Sequence, residues 1–489
     1  MTAFALRPSR LDRRHTRGRR RAVRTSYGHL QQALAWIARS TGLTSASVCQ
    51  ASSAPINTRS TRSYDARNRL TGVIHPVGTS AESYSYFADG ALSMATSADG
   101  GTWSYGYNKR RLPTSETLTL DGKTFAIGYG YTGLAHRSTL TYPSGLTLSL
   151  APNAFGQPKQ AGSYAYSATY HPDGSIKGFT YANGLSHSRS INTRGLTQSL
   201  RDGMGRGEGV LDYAYTYDQN GNVATITDYT SPPYWNQSRN LQYDARDRMV
   251  SATAPGIFGE ELYEYDALDN VRRLAVYPNG SGGYVLDYHY QYDGANHLTG
   301  IDDPGAVQQW AFSHTALGET LSRHGHDSTW NYQWNAAGRM TRADRSAPGN
   351  REAYPLMPIA ELANLWSGGL SPDGLRGTTP SAPQATWETY VYDAHGHRTR
   401  SQRSDGSTRY QVYTRAGQLL YTEDSRYTNA GEYDWQRSDF IHLGNKLIAQ
   451  RGRPLTSNSQ TTRYHHTDHI QSANFETNAS GAQTQRAVR

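Results

Sequence analysis

Apolar and polar residues alternate along most of this chain, and the alternation is broken at intervals by short polar clusters. In "YEYDALDNVRRLAVY" (Tyr263 to Tyr277) two tyrosines flank one polar residue, an aspartate and a polar cluster follow, and an apolar residue restarts the run. A period of two sends Tyr263 and Tyr265 to one face of a strand. The aspartate is placed to accept hydrogen bonds from backbone N–H groups two or three residues on, which starts an Asx-type turn. Gly or Asn then stands where the backbone favours positive φ, and the next apolar residue opens the return strand. The phrase therefore predicts a β-hairpin with a loop of about four or five residues.

The phrase recurs from Tyr64 onward at intervals of roughly 20 to 27 residues, a period that signals a repeat architecture. Copies begin at Tyr64, Tyr84, Tyr105, Tyr129, Tyr170, Tyr215, Tyr243, Tyr263, Tyr290, Tyr390 and Tyr413, with worn versions at Phe312 and Tyr332. The turn positions are Asp218 and Gly221, Asp244, Asp266 and Asn270, Asp293 and Asn296, and Asp393 and Gly396. A catalytic aspartate is held at one site against one partner, whereas an aspartate in nearly every copy is there because every copy must turn. Hairpins joined edge to edge give a long meandering sheet, and coiling that sheet hides edges that invite aggregation. The fold class expected is all-β, a spiral β-shell, open or closed.

The order of segments refines this picture. Residues 1–63 form a basic arm, 64–345 a first block of repeats, 346–387 an insertion rich in Pro and Gly, and 388–489 a second block. Within the arm, Leu30, Leu34 and Ile37 share one helical face, which predicts a short amphipathic helix over Leu30 to Ser40. Gln31, Gln32 and Arg39 interrupt the apolar stretch that a secretion signal needs. "PIAELANLW" (Pro358 to Trp366) predicts one more short helix, in the insertion, with proline at its first position.

Composition adds two constraints. The chain has 36 Tyr against 9 Phe, a bias that suits thin walls with water on both sides, because a tyrosine buries its ring and keeps its hydroxyl wet. The formal charge of +9 is local. Residues 1–69 hold 14 arginines and two acids, a net +12, and the remainder holds 35 bases and 38 acids, a net −3. The main body thus has no cationic excess for a phosphate backbone, and the run from Arg7 to Arg24 reads as a solvated tail. A single cysteine, Cys49, excludes an internal disulfide framework, and no apolar run approaches the length of a membrane span.

The phrase Y-x-Y-D-x-x-G/N-x-L resembles the tyrosine–aspartate repeat of the Rhs family, bacterial polymorphic-toxin scaffolds related to toxin-complex C proteins and animal teneurins. "FIHLGNKLIAQ" (Phe440 to Gln450) and "TTRYHHTDHIQSANFETNASGAQTQR" (Thr461 to Arg486) are similar to the closing segment of the Rhs core. Ile470 and Gln471 stand for the usual Leu-Gly, and Asn478 stands for the usual Asp of the final turn; the last two changes are expected to loosen turns at that end. The resemblance implies strands spiralling into a hollow shell that encloses a toxic C-terminal polypeptide. It also implies a self-cleaving aspartyl site ending in D-P-x-G, downstream of the core. "DDPGA" (Asp302 to Ala306) lies inside the repeats and reads as a turn, so the family's protease residues have no positions here. The expectation is a shell fragment lacking the self-cleavage segment and the toxin.

Other chemistry is weaker. His465 and His469 in "YHHTDH" (Tyr464 to His469) would share a helical face and bind zinc, but the segment reads as a strand with no third ligand established. His324, His326 and Asp327 read as a polar loop, and "GMGRGEG" (Gly203 to Gly209) as a flexible turn that lacks the Lys-Ser/Thr of a phosphate loop. No nucleophile has a paired base and no acid pair is singled out. The reading is a non-enzymatic carrier without cofactor or metal, whose partners are a toxin polypeptide or the secretion machinery. By resemblance it is bacterial and secreted or displayed on the cell surface, staying cytoplasmic until export because no signal peptide is recognisable. The alternative is an adhesion module whose tyrosines stack on carbohydrate.

Overall fold

A computed structural model describes residues 34–37, 59–76, 79–204, 209–230, 237–255, 257–278, 286–303, 309–325, 328–346, 386–427, 433–454, 459–470 and 473–486. The arginine run of the arm, Cys49, His326, Asp327 and the expected helix Pro358 to Trp366 lie outside these residues. The described residues form 35 strands, each hydrogen-bonded antiparallel to its neighbours in sequence except between Thr147–Ser149 and Ala165–Tyr170, and hold no helix. The strands make two meandering sheets of 10 and 25 strands, both in strict chain order. The all-β expectation therefore holds, and the strands on either side of residues 347–385 pair directly, with Arg342 opposite Thr389 and Asp344 opposite Trp387.

The helix expected over Leu30 to Ser40 is a correction. Leu34–Ile37 is a strand paired with Arg59–Tyr64, in register Leu34 to Arg62 and Ile37 to Arg59. The outermost repeat strand presents a row of unpaired N–H and C=O groups, and pairing with them satisfies backbone that an isolated short helix would leave marginal.

Each hairpin is built as its phrase demands, with two changes of detail. Tyr217 pairs with Val223 across a register shift, so residues 218–222 form a five-residue loop, and Tyr265 with Val271 and Tyr292 with Leu298 repeat the arrangement. Asp266 Oδ1 accepts from the N–H of Leu268 (2.8 Å) and Asn270 (3.0 Å), so the aspartate spans two and four residues ahead. The positive φ falls on the third residue after the aspartate: Gly221 (98°), Asp247 (61°), Asp269 (70°), Asn296 (69°) and Gly396 (86°). Asn270 is thus not the left-handed residue. It closes the turn instead, donating its side-chain amide to Asp266 Oδ2 at 2.9 Å. Asn478 makes the same turn as an aspartate, accepting from Ser480 and Ala482 N–H at 3.0 Å each, so the final turn closes; Gln471 lies outside the described residues.

Neighbouring repeats are fastened by the second tyrosine of the phrase. Its hydroxyl donates to the carbonyl that opens the previous return strand: Tyr86 to Leu70 (2.8 Å), Tyr243 to Val223 (3.0 Å), Tyr265 to Met249 (2.8 Å) and Tyr292 to Val271 (3.0 Å). In the worn copy Trp334 does the same through Nε1, to Thr320 O at 2.7 Å. The basic residue two after the turn aspartate, or after its asparagine substitute, reaches the next turn: Arg67 to Ala88 O, Arg194 to Asp218 O and Arg246 to Ala267 O. Tyr265→Phe keeps the ring and deletes one fastening, so denaturant unfolding should show a loss of about 1 kcal/mol.

Burial is uneven. Lys123–Tyr131 alternates strictly, with Phe125, Ile127 and Tyr129 buried. Arg239–Tyr243 in the middle of the chain buries no residue fully. The hydrophobic core joins residues from Leu92 to Tyr215 with residues from Ala394 to Phe475, so it forms where two distant parts of the strip meet.

Candidate functional site: the seam between two windings

The two parts meet with a nearly constant offset. Tyr84 OH donates to Ala394 O (2.7 Å), Lys123 Nζ to Glu423 Oε1 (2.6 Å), Tyr142 OH to Phe440 O (3.0 Å) and Tyr181 OH to His465 O (3.0 Å). These contacts span 310, 300, 298 and 284 residues in sequence. A strip that repeatedly meets itself about one fixed length later is coiled, and these residues mark the seam between successive windings.

At the first part of the seam, hairpin ends abut. A Cβ on Gly100 would lie 1.9 Å from Tyr392 O, so only glycine admits this approach of two backbones. Trp103, 2% exposed, donates Nε1–H to Asp393 Oδ2 at 2.8 Å, and Tyr105 OH meets His395 Nε2 at 2.5 Å. Burial pushes the Asp393 carboxyl up, but the ring and backbone N–H of His397 and the Trp103 indole outweigh it and hold it below the ordinary range. Asp121 accepts from Arg400 (2.6 Å) and Tyr410 OH (3.0 Å). A polar cavity of about 530 Å³ opens beside these groups, lined by Asp99, Asp121, Arg339, Tyr390, Tyr392 and Arg400. Its charged groups are partly committed within the wall, Arg400 to Asp121 and Arg339 to Glu82 at 3.1 Å.

The second part of the seam is a buried ionisable cluster. Strands Ser186–Ile191 and Thr197–Gly203 bring His187 opposite Asp202. The later winding supplies His466 from strand Thr461–Thr467. Asp202, wholly buried, accepts from His187 Nδ1 (2.5 Å) on one oxygen and from His466 Nδ1 (2.9 Å) and Tyr181 OH (3.1 Å) on the other. Thr477 Oγ1 lies 2.9 Å from His466 Nε2, and Lys446 donates to Thr467 close by. Burial would raise the Asp202 carboxyl; the two histidine donors outweigh it and hold the group well below the usual carboxylate range. As an ionised acceptor it fixes both imidazoles with the proton on Nδ1. Burial pushes the His187 imidazole down, against the pull of Asp202.

Of the turn residues expected from sequence, Asp218, Asp244, Asp266 and Asp293 each sit in their own exposed turn and are not brought together. Asp218 Oδ1 accepts from Gly221 and Asn222 N–H at 2.8 Å each; Asp244 holds Arg248 Nε at 2.7 Å, and that arginine lowers its carboxyl to about 2. Asn270 and Asn296 link adjacent turns at 2.5 Å. Asp393 with Gly396 differs, because the same turn is also a seam contact. The two histidines weighed for zinc diverge: His465 lies in the strand, 3.6 Å from Glu476, and His469 in the turn that follows, against the Tyr215 ring at 4.6 Å. Sequence reasoning missed His187, Asp202 and His466. "SHSRSI" and "TQSLRDG" read as polar strand faces, and no local pattern links them to a residue 264 positions away.

No family model matches the chain, and no curated protein matches it. Several solved structures resemble it at low identity. A crystal structure of TcdB2-TccC3-Cdc42 is 11% identical over 87% of this chain and 26% of that one, with a TM-score of 0.46. TcdB2-TccC3 without its hypervariable C-terminal region is 12% identical over 88% and 26%, at 0.40. The Photorhabdus luminescens Tc holotoxin pore is 11% identical over 88% and 30%, at 0.26. The chain thus spans less than a third of the length of each of these chains.

Proposed function

We propose that the chain is a wall segment of an Rhs-type toxin carrier, non-enzymatic, which fences off a volume where a toxin polypeptide is kept from its own host. The observation that carries this reading is that earlier strands meet later ones at a near-constant offset, the 10-stranded sheet against the 25-stranded one at three contacts and the 25-stranded sheet against itself at the fourth, because a run of strands that returns onto its earlier part bounds a space. The recurrent aspartates close turns and the second tyrosines fasten repeats, which is the work of a wall and leaves no set of them converging on a substrate. The partners are a passenger polypeptide and the machinery that exports it, and export or surface display follows from the same reading.

An unfolded reporter polypeptide fused after Arg489 tests it. The reporter should survive protease at least tenfold longer than the same reporter free in solution; equal decay rates would remove the carrier reading. The carbohydrate alternative draws no support from the second tyrosines of the repeats, whose hydroxyls are already engaged by main-chain carbonyls.

A further inference from the structure

We infer that the seam is an acid-labile latch: buried histidines, unprotonated while the windings are in contact, take up protons when the windings separate, so acid opens the wall. The inference deepens the carrier reading by naming what would release the passenger.

The geometry sets the direction. His187 and Asp202 belong to one winding and His466, His465 and Lys446 to the next, and each of these residues is at most 8% exposed. The ionisable and charged groups facing His187 are Asp202 and Tyr181 on its own winding and Lys446 and His466 across the seam; Arg189, Asp468 and His465 lie around them. Asp202 in direct contact, and Asp468 through its field, therefore answer His187, His466 and Lys446. A proton added to His187 would place an imidazolium beside Lys446 and His466 in a site without water to screen it. His465 has no hydrogen-bond partner on either ring nitrogen; the carboxylate facing it is Glu476 on its own winding, 3.6 Å from Nδ1, and burial together with His466, Arg463 and His442 opposes a proton there. Further along the seam His442 and His395 are half-buried.

The linkage has one sign. Burial lowers the imidazoles of His187, His395 and His469, and carries those of His442 and His465 down to about 4, from an ordinary 6.5. A base with a lowered pKa in the closed form binds fewer protons there than in the open form. Closure is then fully favoured above about pH 6.5 and weakens as pH falls toward 4. Each such histidine changes the opening equilibrium by up to about tenfold per pH unit across that window.

Hydrogen exchange on the full chain at pH 7.0, 6.0, 5.0 and 4.5, corrected for intrinsic rates, reads the latch. Protection of Ser186–Ile191, Thr197–Gly203 and Thr461–Thr467 should fall at least 100-fold over this range. Met249–Ala254 and Gly259–Tyr265, which carry no histidine and pair only with strands that carry none, should hold within about threefold. His187→Asn keeps a side-chain N–H for Asp202 and cannot take a proton, and His465→Leu removes the second base. Together they should flatten the seam's pH response by at least tenfold. A wild-type seam whose protection is constant across the range, or falls equally in the control strands, overturns the inference even if the variants do not fold. The two readings separate cleanly: a reporter protected at pH 7 behind a pH-insensitive seam leaves a carrier without this latch, and an acid-labile seam around an unprotected reporter leaves the latch without the carrier.

Discussion

Replacing Asp202 with alanine is expected to cost about 3–5 kcal/mol and to split the unfolding transition, with the seam separating before the single-layer repeats. The carboxylate has no exposure and takes three donors, from His187, Tyr181 and His466. Its removal leaves those donors in a dry site with nothing to accept them, and takes from Lys446 the stronger of the two carboxylate fields that favour its charge. Urea titration followed by circular dichroism and by exchange at Thr197–Gly203 checks both parts. A single transition with an unchanged midpoint would show that the cluster does not hold the windings together. Asp218→Ala is the contrast. That aspartate also accepts three hydrogen bonds, two from backbone and one from Asn222, yet water reaches its turn and can replace them, so its midpoint should move far less.

Trp103→Ala should cost a similar amount, about 3–5 kcal/mol, by a different route. The indole is almost wholly enclosed where the hairpin end at Gly100 meets Tyr392, and the truncation leaves a cavity that rigid backbone contact on both sides cannot close. It also strips Asp393 of its cross-winding donor. Trp103→Phe separates the two contributions, because it restores much of the volume and none of the hydrogen bond. Thermal unfolding of the pair should place phenylalanine between wild type and alanine. If both variants melt with the wild type, the first part of the seam contributes little to closure.

How much of this was legible beforehand depends on the range of the interaction. Asp266, Gly221 and Val271 announce their turns because the groups they bond or follow lie within five residues, and a repeat states the same message many times. The left-handed position was placed one residue late at Asn270, since asparagine and aspartate both tolerate positive φ and composition alone does not choose between neighbours. The strand at Leu34–Ile37 escaped for another reason: its spacing suits a helix, and only the presence of an open sheet edge decides otherwise. The seam was invisible. His187 and Asp202 sit at strand positions that look solvent-facing until the later winding covers them, and Trp103 gives no hint of a partner 290 residues away.

The nearly fixed distance along the chain between seam partners makes the number of intervening hairpins a counted quantity. Adding or deleting one hairpin between Tyr217 and Arg339 would slide every later residue past its present counterpart, so that Asp393 would miss Trp103 and His466 would miss Asp202 at the same moment. On the carrier reading, circumference and with it the space enclosed would thereby be locked to the identity of side chains far from the place where length is changed. A chain with a larger interior would need a rewritten set of matching residues along the whole join, which turns capacity into an inherited specification and keeps it from drifting one repeat at a time.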